Sequence, residues 1–267
     1  VAAVLDLMAA PTKAQMRRSL RAARAQLSPQ EISRRADQLG QVLLEEIRYD
    51  AAVLGYLPMA GEPDLRPFLS AHLERGGEVF VPVIADPQLR LLNWARWTPQ
   101  TQLRRSRYAP VDEPLGERIN LPQLLGADCT SSRIVLLAPA LAVDTAGFRL
   151  GQGGGFYDTM FGAGPAAPHG SPPLSAGKAW PAFSAGPAAP HGSPPLSAGK
   201  AWPAFSAGPA APVGSPPLQR GVDLLAVVHS AEILPAGSFP VEEHDLRVPR
   251  AATESGVLVL NGNQLGR

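Results

Sequence analysis

Apolar positions along the chain switch between helical and strand spacing, and the switches predict the elements. Lys13 to Gln26 holds only helix-tolerant residues, with no proline or glycine to break them. Ser28-Pro-Gln-Glu31 reads as a capping box with proline at the first helical position, so a second helix is expected to about Ile47. Short apolar runs at Ala52–Leu57 and Glu78–Val83 predict strands, with a helix from about Asp64 to Arg75 between them. Leu89–Trp94 is expected as an antiparallel strand. The run Ile134-Val-Leu-Leu-Ala-Pro-Ala140 is short, partly β-branched and closed by turn signals, which marks a buried strand. Leu224–Val228 and Val257–Leu260 complete the set. Strands alternating with helices indicate an α/β domain, a mostly parallel sheet flanked by helices, with ligands expected beyond the carboxyl ends of the strands.

One stretch breaks the alternation. Gly164 to Ala185 recurs without change as Gly186 to Ala207, and Gly208 to Leu218 is a third, truncated copy. Fourteen of the 29 prolines fall in 164–218, with no acidic residue and two lysines. Proline at this density forbids helix and ladder, so an extended or disordered insertion is expected. Long surface insertions add little closure entropy, about 0.6 kcal/mol per doubling of length. The expected organisation is a frayed tail at 1–10, one domain formed by 11–163 and 219–267, and the insertion at 164–218. Weak docking through Pro172-Pro173-Leu174 or Trp180-Pro181 is the functional alternative to a tolerated expansion.

Charge and cysteine content narrow the class. Twenty-four Lys and Arg against 23 Asp and Glu leave a formal charge of +1, which argues against nucleic acid as a partner. Arg17, Arg18, Arg21 and Arg24 lie at helical spacing and read as a solvated stripe. The single cysteine, Cys129, excludes an internal disulfide and fits a cytoplasmic location. No segment is long and apolar enough to span a bilayer, so no membrane role is expected.

The chemistry concentrates at Gly147-Phe-Arg-Leu-Gly-Gln-Gly-Gly-Gly-Phe-Tyr-Asp158. Glycines at 147, 151, 153, 154 and 155 let the backbone approach a ligand, and successive N–H groups in such a loop converge on an anion. Arg149 adds a positive charge, and Asp158 a hard oxygen of the kind Mg²⁺ favours. The Rossmann fingerprint fails because position 156 is Phe, and no P-loop is present because Gly177-Lys178 precedes Ala179. Glycine count alone leaves a plain strand-to-helix turn open.

The rest of the chain supplies context. Lys13-Ala-Gln-Met-Arg17, Tyr56-Leu-Pro-Met-Ala-Gly-Glu62-Pro-Asp64, Glu113-Pro114, the glycine loop with Phe156-Tyr157-Asp158, and Pro240-Val-Glu-Glu-His244-Asp245 follow in that order. Together they resemble the 5-formyltetrahydrofolate cyclo-ligase family, also called 5,10-methenyltetrahydrofolate synthetases. The resemblance covers about 12–162 and 221–260, and its specific part is the string from Arg149 to Asp158. It implies a three-layer, Rossmann-like fold of the NagB/CoA-transferase kind. It also implies ATP- and Mg²⁺-dependent closure of 5-formyltetrahydrofolate to 5,10-methenyltetrahydrofolate by a monomeric ligase.

Residue by residue, the resemblance places Lys13 and Arg17 on the ATP phosphates. The loop Arg149, Leu150, Gly151, Gln152, Gly153, Gly154, Gly155, Phe156 and Tyr157 would wrap the triphosphate, with Arg149 and Tyr157 as the catalytic pair. Asp158 and Asp245 would hold Mg²⁺, Glu62 would orient the pterin, and Leu57 would pack on its ring. His244 would at most orient Asp245. Thr159 stands where the family usually carries a basic residue. The rival expectation is a non-catalytic nucleotide- or folate-binding homologue, inactivated or repurposed by the repeat.

Overall fold

The computed structural model describes residues 11–126, 131, 133–162 and 222–260. The expectations for the tail, for Cys129 and for the repeat lie outside these residues. Helix α1 (Lys13–Arg24) begins at a reciprocal capping box. The Thr12 hydroxyl accepts from the Gln15 N–H at 3.2 Å, and the Gln15 side chain accepts from the Thr12 N–H at 2.8 Å. Helix α2 (Pro29–Glu46) realises only half of the box read from its sequence. Ser28 Oγ caps the Glu31 N–H at 3.2 Å, but the Glu31 carboxylate turns to Arg34 and Arg35 at 2.7 and 2.6 Å. Guanidiniums three and four residues on offer charge-assisted bonds that a neutral N–H cannot match.

Strands and helices then alternate as β1 (Ala51–Leu54), α3 (Arg66–Glu74), β2 (Glu78–Asp86) and β3 (Leu91–Arg96). A hairpin, β4 (Leu103–Arg105) with β5 (Asp112–Pro114), and the short α4 (Leu121–Leu125) lead to β6 (Arg133–Pro139). Next come β7 (Ala142–Asp144), β8 (Arg149–Leu150) and α5 (Phe156–Phe161). Beyond the repeat lie β9 (Val222–Val227), a 3₁₀ turn at Ser230–Glu232, β10 (Ile233–Leu234), β11 (Arg250–Thr253) and β12 (Gly256–Val259).

The main sheet has the order β12-β11-β9-β6-β1-β2-β3. Its five inner strands are parallel and both edges are antiparallel. Val257–Leu260, expected to complete the parallel set, is instead the outer arm of a hairpin with β11. The parallel strand there is Arg250–Thr253, whose Ala-Ala centre is too weakly apolar to show as a run. Strands β6 and β9 flank the repeat in sequence yet pair along their length, from Ile134↔Val222 to Pro139↔Val227. The described residues on either side of the repeat therefore share one sheet.

Period-2 alternation sends the two faces of that sheet into separate cores. Ala51, Val53, Val79, Val81, Val135 and Leu137 pack with Leu39 and Leu43 of α2 and with Phe68 and Leu69 of α3. Ala52, Leu54, Phe80, Ile134 and Leu136 pack on the opposite face with Leu121 and Leu124 of α4 and Met160 and Phe161 of α5. This is the three-layer arrangement expected. A smaller sheet, β10-β7-β8, carries its own cluster of Ala142, Leu150 and Phe239, against which Met16 and Leu20 of α1 rest. Among the described residues, no helix is long and apolar enough to cross a membrane.

Strand β1 stops at Leu54 rather than Leu57, because Pro58 cannot donate to a ladder and the chain has begun to turn away. That turn carries Tyr56 and Leu57 out of the sheet plane and toward the site.

Candidate active site

Beyond the carboxyl ends of β1 and β6 lies a cavity of about 900 Å³. Tyr56 and Leu57 after β1, Pro139 at the end of β6, and Ile84 and Leu92 of the β2–β3 hairpin line it. So do Tyr108 to Glu113, Arg149, most of the glycine loop, and Phe156 to Asp158. Leu57, Glu62, Arg149, Gly151, Gln152, Gly154, Gly155, Phe156, Tyr157 and Asp158 thus share one lining, although they are spread over a hundred residues of sequence. Lys13, Arg17, Leu150, Gly153 and Asp245 sit outside the lining. The Leu150 side chain belongs to the satellite core with Ala142 and Phe239, so only its backbone faces the loop.

The loop joins β8 to α5 and needs its glycines for two separate reasons. Gly153 and Gly155 have φ of +106° and +71°, conformations that strain any residue with a Cβ. At Gly151 the reason is space, since a Cβ there would lie 2.8 Å from Arg149 Nη1. Gly155 caps α5, which leaves Asp158 in the first turn, where the helix dipole favours a carboxylate.

Arg149 is buried and donates to the Pro139 carbonyl at 2.9 Å and to Asp158 Oδ1 at 2.5 Å. Its guanidinium also lies 5.5 Å from the centre of the Tyr157 ring. Burial pushes the Tyr157 phenol well up, so it is a neutral donor throughout the physiological range. Among the described residues, four buried side-chain polar atoms find no hydrogen-bond partner: Arg24 Nη1, Trp94 Nε1, Arg149 Nε and the Tyr157 hydroxyl. Three of the four belong to residues lining the cavity. Orphaned donors are rare in native interiors, and their clustering here is what a polar ligand would answer.

The arginine stripe of α1 is not solvated as expected. Arg17, Arg21 and Arg24 recur at i, i+4 and i+7, which puts them on one face, and that face meets the loop. Arg17 Nε donates to the Gly151 carbonyl at 2.9 Å. Arg21 donates to the Gln152 side chain at 3.0 Å and to the Gln152 carbonyl at 2.8 Å. Arg24 is buried, forked onto Glu232 at 2.6 and 2.7 Å, and bonded to the Ala140 carbonyl at 2.6 Å. Arg18 and Arg21 remain exposed, as the solvated reading had it, Arg21 making its loop contacts from the solvent side. The signal available in the sequence was the spacing itself, with Met16 and Leu20 offset on the packing side.

Glu62 is 4 % exposed and is held by the Met59 N–H at 3.0 Å and by Gln152 Nε2 at 2.9 Å. Beneath it, Arg24 Cβ would meet a Cβ on Gly61 at 3.1 Å, and His229 Nε2 lies 3.3 Å from the Gly61 carbonyl. Glu113, buried on the far side of the cavity, accepts from the Ile84 N–H at 3.0 Å and from Ser106 Oγ at 2.8 Å.

Asp158 and Asp245 come from distant segments that meet. The Leu246 N–H donates to Asp158 Oδ1 at 3.1 Å, which brings the peptide following Asp245 against the start of α5. Asp245 itself grips Lys13 Nζ at 2.7 and 2.8 Å, with Glu242 adding a contact at 2.9 Å. Burial works against the Lys13 charge, but these carboxylates outweigh it and hold the ammonium above its ordinary value. His244 is exposed and faces Glu242 at 3.6 Å. Among the described residues, no group of three or more His, Cys, Asp or Glu side chains is placed to hold a metal alone.

The model of the 5-formyltetrahydrofolate cyclo-ligase family matches residues 9–176. The chain is 36 % identical over 109 residues to the 5-formyltetrahydrofolate cyclo-ligase of Mycolicibacterium smegmatis, covering 40 % of this chain and 52 % of that one. It is 33 % identical over 103 residues to the Escherichia coli K12 protein of that name, covering 39 % and 53 %. The chain thus spans about half the length of the relatives it matches. The fold is similar to that of 5,10-methenyltetrahydrofolate synthetase from Aquifex aeolicus, with a TM-score of 0.56 at 20 % identity, covering 96 % of this chain and 94 % of that one. The corresponding Mycoplasma pneumoniae structure gives 0.51 at 13 %, covering 91 % and 98 %.

Proposed function

Because the chain belongs to the 5-formyltetrahydrofolate cyclo-ligase family, we propose that it converts 5-formyltetrahydrofolate and ATP to 5,10-methenyltetrahydrofolate, ADP and phosphate with Mg²⁺. The observation that carries this reading is the shared cavity, where the glycine loop with Arg149 and Tyr157 faces the Glu62 turn. The reaction needs a phosphate-binding element and a folate-binding element within reach of each other, and no protein nucleophile.

Oxygen on the formyl carbon is a poor leaving group. Its attack on the γ-phosphate of ATP expels ADP and forms a phosphorylated formyl group. N10 then adds to the formyl carbon and gives up its proton, the phosphorylated oxygen departs as phosphate, and the ring is closed. The chain's part is positioning and charge neutralisation. Arg149 and the loop N–H groups steady the transferring phosphoryl charge, and the unsatisfied Nε of Arg149 and hydroxyl of Tyr157 are free to take ligand oxygens. Lys13 and Arg17 contact the remaining phosphates. Glu62, buried without a cationic partner among the described residues, offers its carboxylate to the pterin N–H groups, and Leu57 supplies apolar contact to the ring.

Asp158 and Asp245 suit a magnesium ion that is shared with phosphate oxygens and water, since such sites use one or two carboxylates rather than a protein cage. When bound, the ion neutralises charge on the phosphates. The described residues on both sides of the repeat act as one catalytic domain in this reading, with 164–218 as an insertion.

The test is near-ultraviolet absorbance of the conjugated methenyl product, using the full chain, 5-formyltetrahydrofolate, ATP and Mg²⁺. A rise that requires all three additions and is lost in Asp158→Ala is the expected result. No rise in the unmodified chain would refute the assignment.

A further inference from the structure

Gln152 interrupts the glycines of the loop, and among the described residues its amide makes the one side-chain contact joining that loop to Glu62. Its Oε1 accepts from Arg21 Nε at 3.0 Å while its Nε2 donates to Glu62 Oε1 at 2.9 Å. The Arg21 fork closes over the same residue through Nη2 to the Gln152 carbonyl at 2.8 Å. A carboxamide is the side chain this place demands, because one end faces a guanidinium and the other a buried carboxylate. A carboxylate would set like charges against Glu62, and an ammonium would set them against Arg21. A flipped amide would point oxygen at carboxylate and N–H at guanidinium, so the orientation is fixed by both partners.

We propose that Gln152 is a positioning residue that fixes the Glu62 carboxylate and couples nucleotide binding at the loop to folate binding at Glu62. The inference rests on the function proposed above. Among the described residues, two hydrogen bonds hold the Glu62 carboxylate: the Met59 N–H, from its own turn, and Gln152, from the nucleotide side. Ordering of Arg21 and the loop around a triphosphate therefore orders Gln152, and with it the second anchor of Glu62. The first bound ligand removes part of the ordering required of the second, which makes the coupling positive and reciprocal.

The test is isothermal calorimetry on the full chain with two probes, 5-formyltetrahydrofolate and a non-hydrolysable ATP analogue with Mg²⁺, each titrated alone and with the other present. In the unmodified chain each ligand should tighten the other by the same factor. Gln152→Met keeps length and loses the amide. It should weaken folate alone by about two- to tenfold, the worth of one hydrogen bond, and bring the coupling factor to one. Gln152→Glu keeps the acceptor for Arg21 and faces Glu62 with a like charge. It should weaken folate at least about tenfold, and by a larger factor than it weakens the nucleotide. A merely structural role would lower both affinities together. Unchanged folate affinity and coupling in Gln152→Met, or parallel loss of both ligands in both variants, would overturn the inference alone. Failure of the unmodified chain to bind folate or nucleotide would overturn the proposed function and this inference with it.

Discussion

Replacing Glu232 by alanine removes what is, among the described residues, the sole carboxylate partner of a guanidinium that the fold has buried. Arg24 and Glu232 side chains are 4 % and 7 % exposed, and the fork between them measures 2.6 and 2.7 Å. Glu232 Oε2 also accepts the His229 N–H at 2.8 Å, so the truncation orphans three donors and leaves one uncompensated charge. Breaking a buried pair from one side destabilises by about 3–5 kcal/mol. With a urea m-value of about 2 kcal/mol per molar, the unfolding midpoint should fall by roughly 1.5–2.5 M at unchanged slope. The exposed pair Arg48–Asp50, at 62 % and 37 %, is the internal control, and Asp50→Ala should leave the midpoint where it was. Arg24→Met added to Glu232→Ala should restore much of the loss, because no charge is then left unpaired. A Glu232→Ala midpoint within about 0.5 M of the unmodified chain, or a double variant no better than the single one, would refute the reasoning.

Arg149→Met should reduce the rate of methenyl formation by about 10²–10³-fold, with a smaller change in KM for folate, and initial rates at saturating ATP check it. Gly147 has φ of +91°, and a Cβ there would lie 2.7 Å from the Val248 carbonyl oxygen, so Gly147→Ala should lose about 1–3 kcal/mol in thermal or urea unfolding. Burial holds His229 and His72 below their ordinary value of 6.5, so the unfolded chain takes up more protons just below that pH. Stability from these groups is complete above 6.5 and is lost as pH falls from 6.5 through the lowered folded values; urea midpoints should fall less steeply in that window in a His72→Gln/His229→Gln variant.

What the sequence made legible follows from signal length. The strands β1, β2, β6 and β9 and the three long helices each have several apolar positions in register, and all were expected within a few residues. The hairpin β4–β5 and the strands β7, β8 and β10 hold two or three residues each, too few for any period to register. At the site, the loop and its Asp158 could be read because glycine and carboxylate chemistry is local. The α1 arginines were misread for a different reason. Helical spacing shows that side chains share a face, but not whether that face meets water or protein. Arg24 is buried only because Glu232, more than two hundred residues away, comes to it. The Gln152–Glu62 bond was likewise invisible, since it depends on two loops meeting in space.

Charge around the loop is placed in two ways, as ion pairs and as arginines bonded to uncharged groups. Under the proposed roles, each metal-binding carboxylate is paired with a phosphate-binding cation: Asp245 with Lys13 and Asp158 with Arg149. These pairs neutralise one another, which spares the fold a buried guanidinium and two half-buried carboxylates without counter-charges. Arg17 and Arg21 are different. Their loop contacts are to backbone carbonyls and a neutral amide, and neither forms an ion pair among the described residues, although Glu242 feels the charge of Arg17. Those two charges are what a magnesium–triphosphate complex, with its net negative charge, would meet first. In the proposed complex Asp158 and Asp245 would hold the metal, and Lys13 and Arg149 would meet the phosphates, so each ion pair would be replaced by two others. A site that instead kept its cations free would hold like charges together in the ligand-free state. One that paired Arg17 and Arg21 internally as well would present the nucleotide with no field to enter.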